Sequence, residues 1–141
     1  MANEARITSG LAITTGKIVY SSKPTSFNAD VAGAKGPVPG AIAVSTEGTD
    51  VDFSELTTPG LCRIQNQDAT NYVTYGIWDP ENSKFFPLGE LLAGETYPLR
   101  LSRDLQEEFQ TGTGTTGANT NRLRFKANTT TCTVLIEAFE V

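Results

Sequence analysis

The chain has 141 residues, a net charge of -5 and an isoelectric point of about 4.7. It contains no histidine, which excludes Ser-His-Asp and Cys-His catalysis and removes the commonest metal ligand. The acidic balance argues against nucleic acid as a partner, and no apolar run approaches the roughly 20 residues that span a bilayer. We therefore expect a soluble protein that is made in a cytoplasm and has no membrane partner.

Low shares of apolar residues (38%) and charged residues (19%) are typical of a β-rich protein with many turns, because threonine, serine, asparagine and glycine fill the difference. The clearest pattern lies near the C-terminus. Apolar and polar residues alternate along residues 122–127 and again along residues 132–139, on either side of a polar break. This period of two predicts a β-hairpin that closes the protein.

The N-terminal part alternates more loosely, with Ile7, Leu11 and Ile13 on one parity. We predict that residues 1–20 form a strand or an arm, which could pair with a neighbouring subunit. The polar residues that follow, up to position 39, contain prolines that exclude a helix and indicate a long loop, in which Phe27 could anchor a short strand. Residues 21–141 are then expected to form a single domain.

Two runs in the middle of the chain predict a second hairpin. Residues 61–65 alternate, and after a polar turn residues 72–78 follow as a strand. This second strand is apolar on both faces, with Tyr75 on one face and Tyr72 and Trp78 on the other. Such a strand either lies between two layers or meets another molecule.

The remaining segments complete the predicted fold. Residues 84–88 include a proline and predict an edge strand, and residues 97–101 alternate as another strand. Residues 102–109 could form one short helix, and residues 111–121 are a loop of glycine, threonine and asparagine. With about eight strands and no βαβ rhythm, the chain is predicted to be all-β: an antiparallel, jelly-roll-like β-sandwich with at most that one helix.

The two cysteines, Cys62 and Cys132, lie 70 positions apart and form no local metal knuckle. Both fall within predicted strands. They are either two buried free thiols or the two halves of a disulfide between neighbouring strands.

Five basic residues share an outward parity on their predicted strands and suggest a local positive face in an acidic protein. One interpretation is a solvated face whose charges discourage edge pairing. The other is a docking face for an acidic partner surface. The five residues are Arg63, Arg100, Arg122, Arg124 and Lys126.

Acidic residues offer no defensible catalytic or metal site. The loop at residues 67–71 could bind Ca²⁺ through its oxygen atoms, but the pattern is more typical of an Asx turn. Asp79, Glu81, Glu90 and Glu95 show no spacing that pairs two carboxylates across a cleft, as a glycosidase requires. We therefore predict no enzyme activity, no metal and no cofactor.

The order of turns along the chain resembles small virion structural proteins of tailed bacteriophages. The resemblance rests on residues 56–77 (LTTPGLCRIQNQDATNYVTYGI), on residues 91–101 (LLAGETYPLRL) and on residues 123–141 (LRFKANTTTCTVLIEAFEV). It implies a jelly-roll-like β-sandwich that assembles into the particle, and it transfers no catalytic residue.

From this resemblance we expect a capsid decoration (cement) protein, a homo-oligomer and specifically a trimer. It would bind between major capsid subunits in the virion, after assembly in the host cytoplasm. Weak contacts over several subunits would add through multivalency. The candidate interface residues are Ile7, Leu11, Ile13, Phe27, Tyr72, Trp78, Leu135 and Phe139.

Two alternative functions remain open at this point. The chain could be a carbohydrate-binding or host-recognition module of a phage tail or fibre, with Trp78, Tyr72 and Tyr75 as stacking platforms for sugars. It could also be a tail or neck structural subunit that uses the same fold.

Overall fold

The computed structural model describes residues 5–31, 35–102 and 122–140. These residues form twelve β-strands and no helix, so the described part contains no helix that could cross a membrane. The strands are β1 Ala5–Ser9, β2 Ala12–Thr14, β3 Val19–Ser21, β4 Thr25–Ala29, β5 Val38–Val44, β6 Thr49–Asp50, β7 Pro59–Asn66, β8 Val73–Asp79, β9 Lys84–Leu91, β10 Thr96–Arg100, β11 Arg122–Ala127 and β12 Cys132–Glu140.

Eight of these strands form a sandwich of two antiparallel sheets. The first sheet has the order β10-β7-β12-β5, and the second has the order β6-β11-β8-β9. Along the chain from β5 to β12, successive strands alternate between the sheets except at β8 and β9. This is the strand order of a jelly roll. The predicted fold, an antiparallel jelly-roll-like sandwich of about eight strands, is therefore confirmed.

The core lies between the two sheets and follows from the alternation along each strand. Ile64 and Ile136 from the first sheet and Val73 and Phe125 from the second are all fully buried. The Phe125 ring lies 5.8 Å from the ring of Tyr75, centroid to centroid. Successive side chains of a strand point to opposite faces of its sheet. The residues that alternate with the buried ones therefore face outward, and they include the five predicted basic residues.

Both predicted hairpins are wrong as pairings. Strands β11 and β12 lie in different sheets, and so do β7 and β8, so each short polar loop crosses the sandwich. Strand β12 pairs instead with β5 and β7. Within the sandwich, the consecutive strands β8 and β9 do pair as a hairpin. Pro87 lies on β9, which is an edge strand of its sheet, as predicted. Alternation identifies a strand and its buried face, but it does not identify the strand to which it bonds.

The β7–β8 loop and the end of β9 meet at one end of the sandwich, around the fully buried Asn66. Its Nδ2 group donates to the carbonyl oxygens of Asn71, Leu91 and Leu92, and its Oδ1 accepts from the backbone N–H of Asp68. A buried amide needs such partners, because each unsatisfied group would cost about 1–3 kcal/mol. One side chain thus ties the end of β7 to the β7–β8 loop and to the end of β9.

The other four strands form a ribbon outside the sandwich, which we call the arm (residues 5–29). Strand β1 pairs with β4 and β2 pairs with β3, and the turn at the tip is held by Thr15, whose Oγ1 accepts from two backbone N–H groups. The sequence places the end of the arm at residue 20, whereas the ribbon continues to Ala29. The stretch predicted as a loop therefore supplies the returning strand β4, which contains Phe27, the residue expected to anchor a short strand. The predicted helix at 102–109 and the loop at 111–121 lie outside the described residues, apart from Ser102.

Candidate functional site

The distal half of the arm carries an apolar face that is about half exposed. Ile13 is paired with Tyr20 across the ribbon, and Leu11 lies two residues before Ile13, so the three side chains share one face. Their exposed fractions are 56% for Leu11, 39% for Ile13 and 52% for Tyr20. The predicted interface residues Leu11 and Ile13 therefore stand together, and Tyr20 joins them as a residue that the sequence reasoning missed.

The base of the arm lies beside the outer face of the first sheet. Ile7 and Phe27 are paired on the arm, and with Leu61 and Phe139 of the sheet they line a cleft of about 830 Å³. Arg63 and Arg100 line the same cleft. The structure thus brings together three predicted interface residues and two predicted basic residues. No spacing along the chain links these positions.

Leu135 lies on the outer face of the same sheet, outside the cleft. It is paired with Gln65 of β7 and with Ala41 of β5, and it is half-buried. Its neighbours on this face are small or polar, which leaves room for a second molecule to approach the sheet.

The predicted basic residues do not form one face. Arg63 and Arg100 lie on the outer face of the first sheet, whereas Arg122, Arg124 and Lys126 lie on the outer face of the second, on the opposite side of the sandwich. Outward parity was predicted correctly for each strand. The sheet to which each strand belongs was not predictable from parity.

An acidic residue of the same chain neutralises part of the positive charge on the outer face of β11. Asp50 of the neighbouring strand β6 accepts from Arg122 at 3.2 Å and also from Arg124. The guanidinium carbon of Arg124 lies 3.9 Å from the centroid of the Trp78 ring, so a cation–π contact fixes both side chains. Arg122 and Arg124 therefore have structural roles on this face, and Lys126 stands exposed beside them.

The aromatic residues considered as a sugar platform are not brought together. Tyr75 faces the core beside Phe125, whereas Trp78 faces outward with one ring face covered by Arg124. Tyr72 is 41% exposed and precedes β8, six residues and about 20 Å of extended strand from Trp78.

Asp68 and Asp79 serve as turn-forming side chains. Oδ1 of Asp68 accepts from the backbone N–H groups of Thr70 and Asn71, and these bonds hold the pKa of the carboxyl below its usual value. The pKa of Asp79 is lowered likewise, chiefly by hydrogen bonds from Asn82. Among the described residues, no group of three or more acidic or cysteine side chains has the arrangement of a metal site.

The cysteines are free and buried in the first sheet, at Cys62 on β7 and Cys132 on β12. Burial, reinforced by the nearby Glu137 carboxylate, raises the pKa of Cys62 to about 12. Burial also raises the pKa of Cys132. Thiols held in the protonated form are poor nucleophiles, so both residues act as small core side chains.

Besides Tyr20, three charged residues of these surfaces went unnoticed in the sequence: Arg6, Asp50 and Glu137. Arg6 and Glu137 line the cleft, and Glu137 pairs with Arg63 across β12 and β7. Only strand pairing between positions more than 70 residues apart reveals this bridge and the one formed by Asp50.

Comparison of the chain with protein-family models, with curated proteins and with solved structures finds no match in any of the three.

Proposed function

We propose that the chain is a non-enzymatic structural protein of a tailed-phage particle, a capsid decoration protein that binds between major capsid subunits as a homotrimer. The observation that supports this best is the uncovered apolar face of the arm, formed by Leu11, Ile13 and Tyr20. The resemblance in the order of turns supplies the class of particle, and the arm supplies a means of attachment to it.

The arm has no core of its own, so its apolar face is not buried within residues 5–29. An isolated two-stranded ribbon is at best marginally stable in water, because neither side is covered by a second layer. The hydrogen bonds described for residues 5–29 lie within the arm, such as those between Leu11 and Ser22. Covering the apolar face with a partner would contribute on the order of 1 kcal/mol for each half-exposed side chain.

Three copies of such an arm would bind the particle with a higher overall affinity than one copy. If the trimer associates through the outer face of the first sheet around Leu135, each arm is free to reach a different capsid subunit. Once the first arm is bound, the second and third bind at a high effective concentration. The particle is thereby stabilised, since the subunits that the trimer bridges must separate together.

The test combines a solution mass with binding to emptied phage heads. Light scattering at low micromolar concentration should give a mass near three times 15.1 kDa. The variant carrying both Ile13→Ser and Tyr20→Ser should keep this mass and bind heads at least about tenfold more weakly, as measured by co-sedimentation. Leu88→Ser is the matched control, because Leu88 is 67% exposed but lies on edge strand β9.

Two results would contradict the proposal. Equal head binding by the wild type and the arm variant would exclude the arm as the attachment element. A monomer that ignores heads but shows a change in Trp78 fluorescence with glycans would favour the carbohydrate-binding function.

A further inference from the structure

The cleft between the arm and the first sheet combines an apolar floor with positive walls. Ile7 and Phe27 come from the arm, and Leu61 and Phe139 come from the sheet. Leu61 is only 8% exposed although it points away from the core. A volume of about 830 Å³ is within the range of about 300–1,000 Å³ that is typical of ligand pockets.

The charges that line this cleft have the opposite sign to the molecule as a whole. Arg6, Arg63 and Arg100 face a single acidic residue, Glu137, which leaves a local excess of two positive charges in a chain of net charge -5. Glu137 is paired with Arg63, whereas Arg6 and Arg100 have no ion pair within the described part of the chain. Two guanidinium groups therefore remain available to an external carboxylate.

The arm strengthens this field. Residues 5–29 contain Arg6, Lys17 and Lys23 and no acidic residue. A partner that follows the arm from its tip to the cleft thus meets three positive charges, and electrostatic complementarity of this kind selects partners and speeds encounter. The pairing of Arg63 with Glu137 holds one wall of the cleft in place before a partner arrives.

We propose that this cleft binds an extended acidic segment of the partner protein, with a large apolar side chain seated on Leu61, Phe27 and Phe139 and flanking carboxylates paired with Arg6 and Arg100. This inference rests on the proposed function, since it names the chemistry of the capsid segment that the arm and the sheet clasp together. A polyphosphate chain fits less well, because it offers no apolar group to the surface formed by Leu61, Phe27 and Phe139.

Fluorescence anisotropy with a synthetic peptide tests the inference directly. The labelled eight-residue peptide alternates glutamate and leucine, and its counterpart alternates glutamine and leucine. The wild type should bind the acidic peptide, and raising NaCl from 50 to 300 mM should weaken binding. Arg6→Gln and Arg100→Gln should each weaken it about three- to fivefold. Lys126→Gln, which removes the same charge from the opposite sheet, should leave it unchanged.

A variant with the opposite sign sharpens the test. Glu137→Gln removes the acidic residue of the cleft, so it should bind the acidic peptide about twofold to threefold more tightly. Far-ultraviolet circular dichroism should show that each variant keeps its strands, which separates lost binding from lost folding.

The inference is overturned if the wild type ignores the acidic peptide, if the glutamine counterpart binds equally well, or if Lys126→Gln weakens binding as much as Arg100→Gln does. Free glutamate that displaces the peptide at equal molar concentration would also overturn it, because the cleft would then be a site for a small anion. These outcomes leave the proposed function standing as long as heads still bind through Ile13 and Tyr20, so the two failures are distinguishable.

Discussion

The sandwich and the arm are built from the same alternating pattern and reach opposite states of burial. In the sandwich, Val44, Ile64 and Val134 are fully buried between two sheets. In the arm, Leu11 and Tyr20 remain more than half exposed, and Val19 on the other face is 83% exposed. The difference is a second layer. The sandwich covers its own apolar faces, whereas the distal arm presents one that stays about half exposed among the described residues.

The largest expected change in the free energy of unfolding comes from replacing a phenylalanine of the sandwich, and a phenylalanine of the arm provides the comparison. Phe125→Ala should lower the free energy of unfolding by about 4 kcal/mol, because it empties a fully buried site beside Tyr75. Phe27→Ala should lower it by less than about 1 kcal/mol, since Phe27 is 52% exposed. Urea unfolding followed by circular dichroism measures both. Equal losses would show that the arm folds as part of the sandwich.

A smaller effect is expected from two asparagines. Asn66→Asp should cost about 2–3 kcal/mol, because a carboxylate keeps the acceptor for Asp68 but cannot donate to the three carbonyl oxygens around it. Asn28→Asp, at an exposed position on β4, is the matched control and should change the same free energy by less than about 0.5 kcal/mol. A loss below 1 kcal/mol at Asn66 would mean that water replaces its bonds.

The smallest effect concerns acid. The folded pKa of Asp68 is lowered by hydrogen bonds from Asn71 and Thr70, so its contribution to stability is present above the unfolded pKa of about 3.9 and is lost as the pH falls through the folded value. Asp68→Asn should therefore be less stable than the wild type at pH 6, and the gap should close towards pH 2. Thermal unfolding over this range measures it, and a gap that widens in acid would contradict the assignment.

The arm should not share this acid response, because residues 5–29 contain no carboxylate. In ¹⁵N-resolved spectra, its amide signals should stay in place between pH 6 and pH 3, while those of Thr70 and Asn71 move as Asp68 takes up its proton.

The sequence was sufficient for the strands and their inward faces, and insufficient for their partners. Alternation along residues 122–127 correctly placed Leu123 and Phe125 in the core. The polar loop that follows predicts a hairpin turn, which is wrong because a short polar loop has the same composition whether it joins paired strands or crosses between sheets. The choice is made by β5 and β7, which pair with β12 from 68 to 100 positions earlier in the chain.

The same limit applied to the candidate surfaces. Arg63 and Arg122 have the same outward parity, yet they lie on opposite sides of the sandwich because their strands belong to different sheets. Ile7, Phe27 and Phe139 were each identified as interface residues without any indication that they meet. Their meeting depends on how the arm lies against the first sheet, which is a tertiary relation that periodicity does not contain.

The contact between Arg124 and Trp78 has a practical consequence. Trp78 is the single tryptophan of the chain, and it is held on the outer face of the second sheet, across the sandwich from the cleft. Its emission should change when the sandwich melts and the cation leaves the indole ring. It should stay constant when an acidic segment enters the cleft. The protein thus carries a native optical signal that reports loss of structure and is silent to occupancy of the other side.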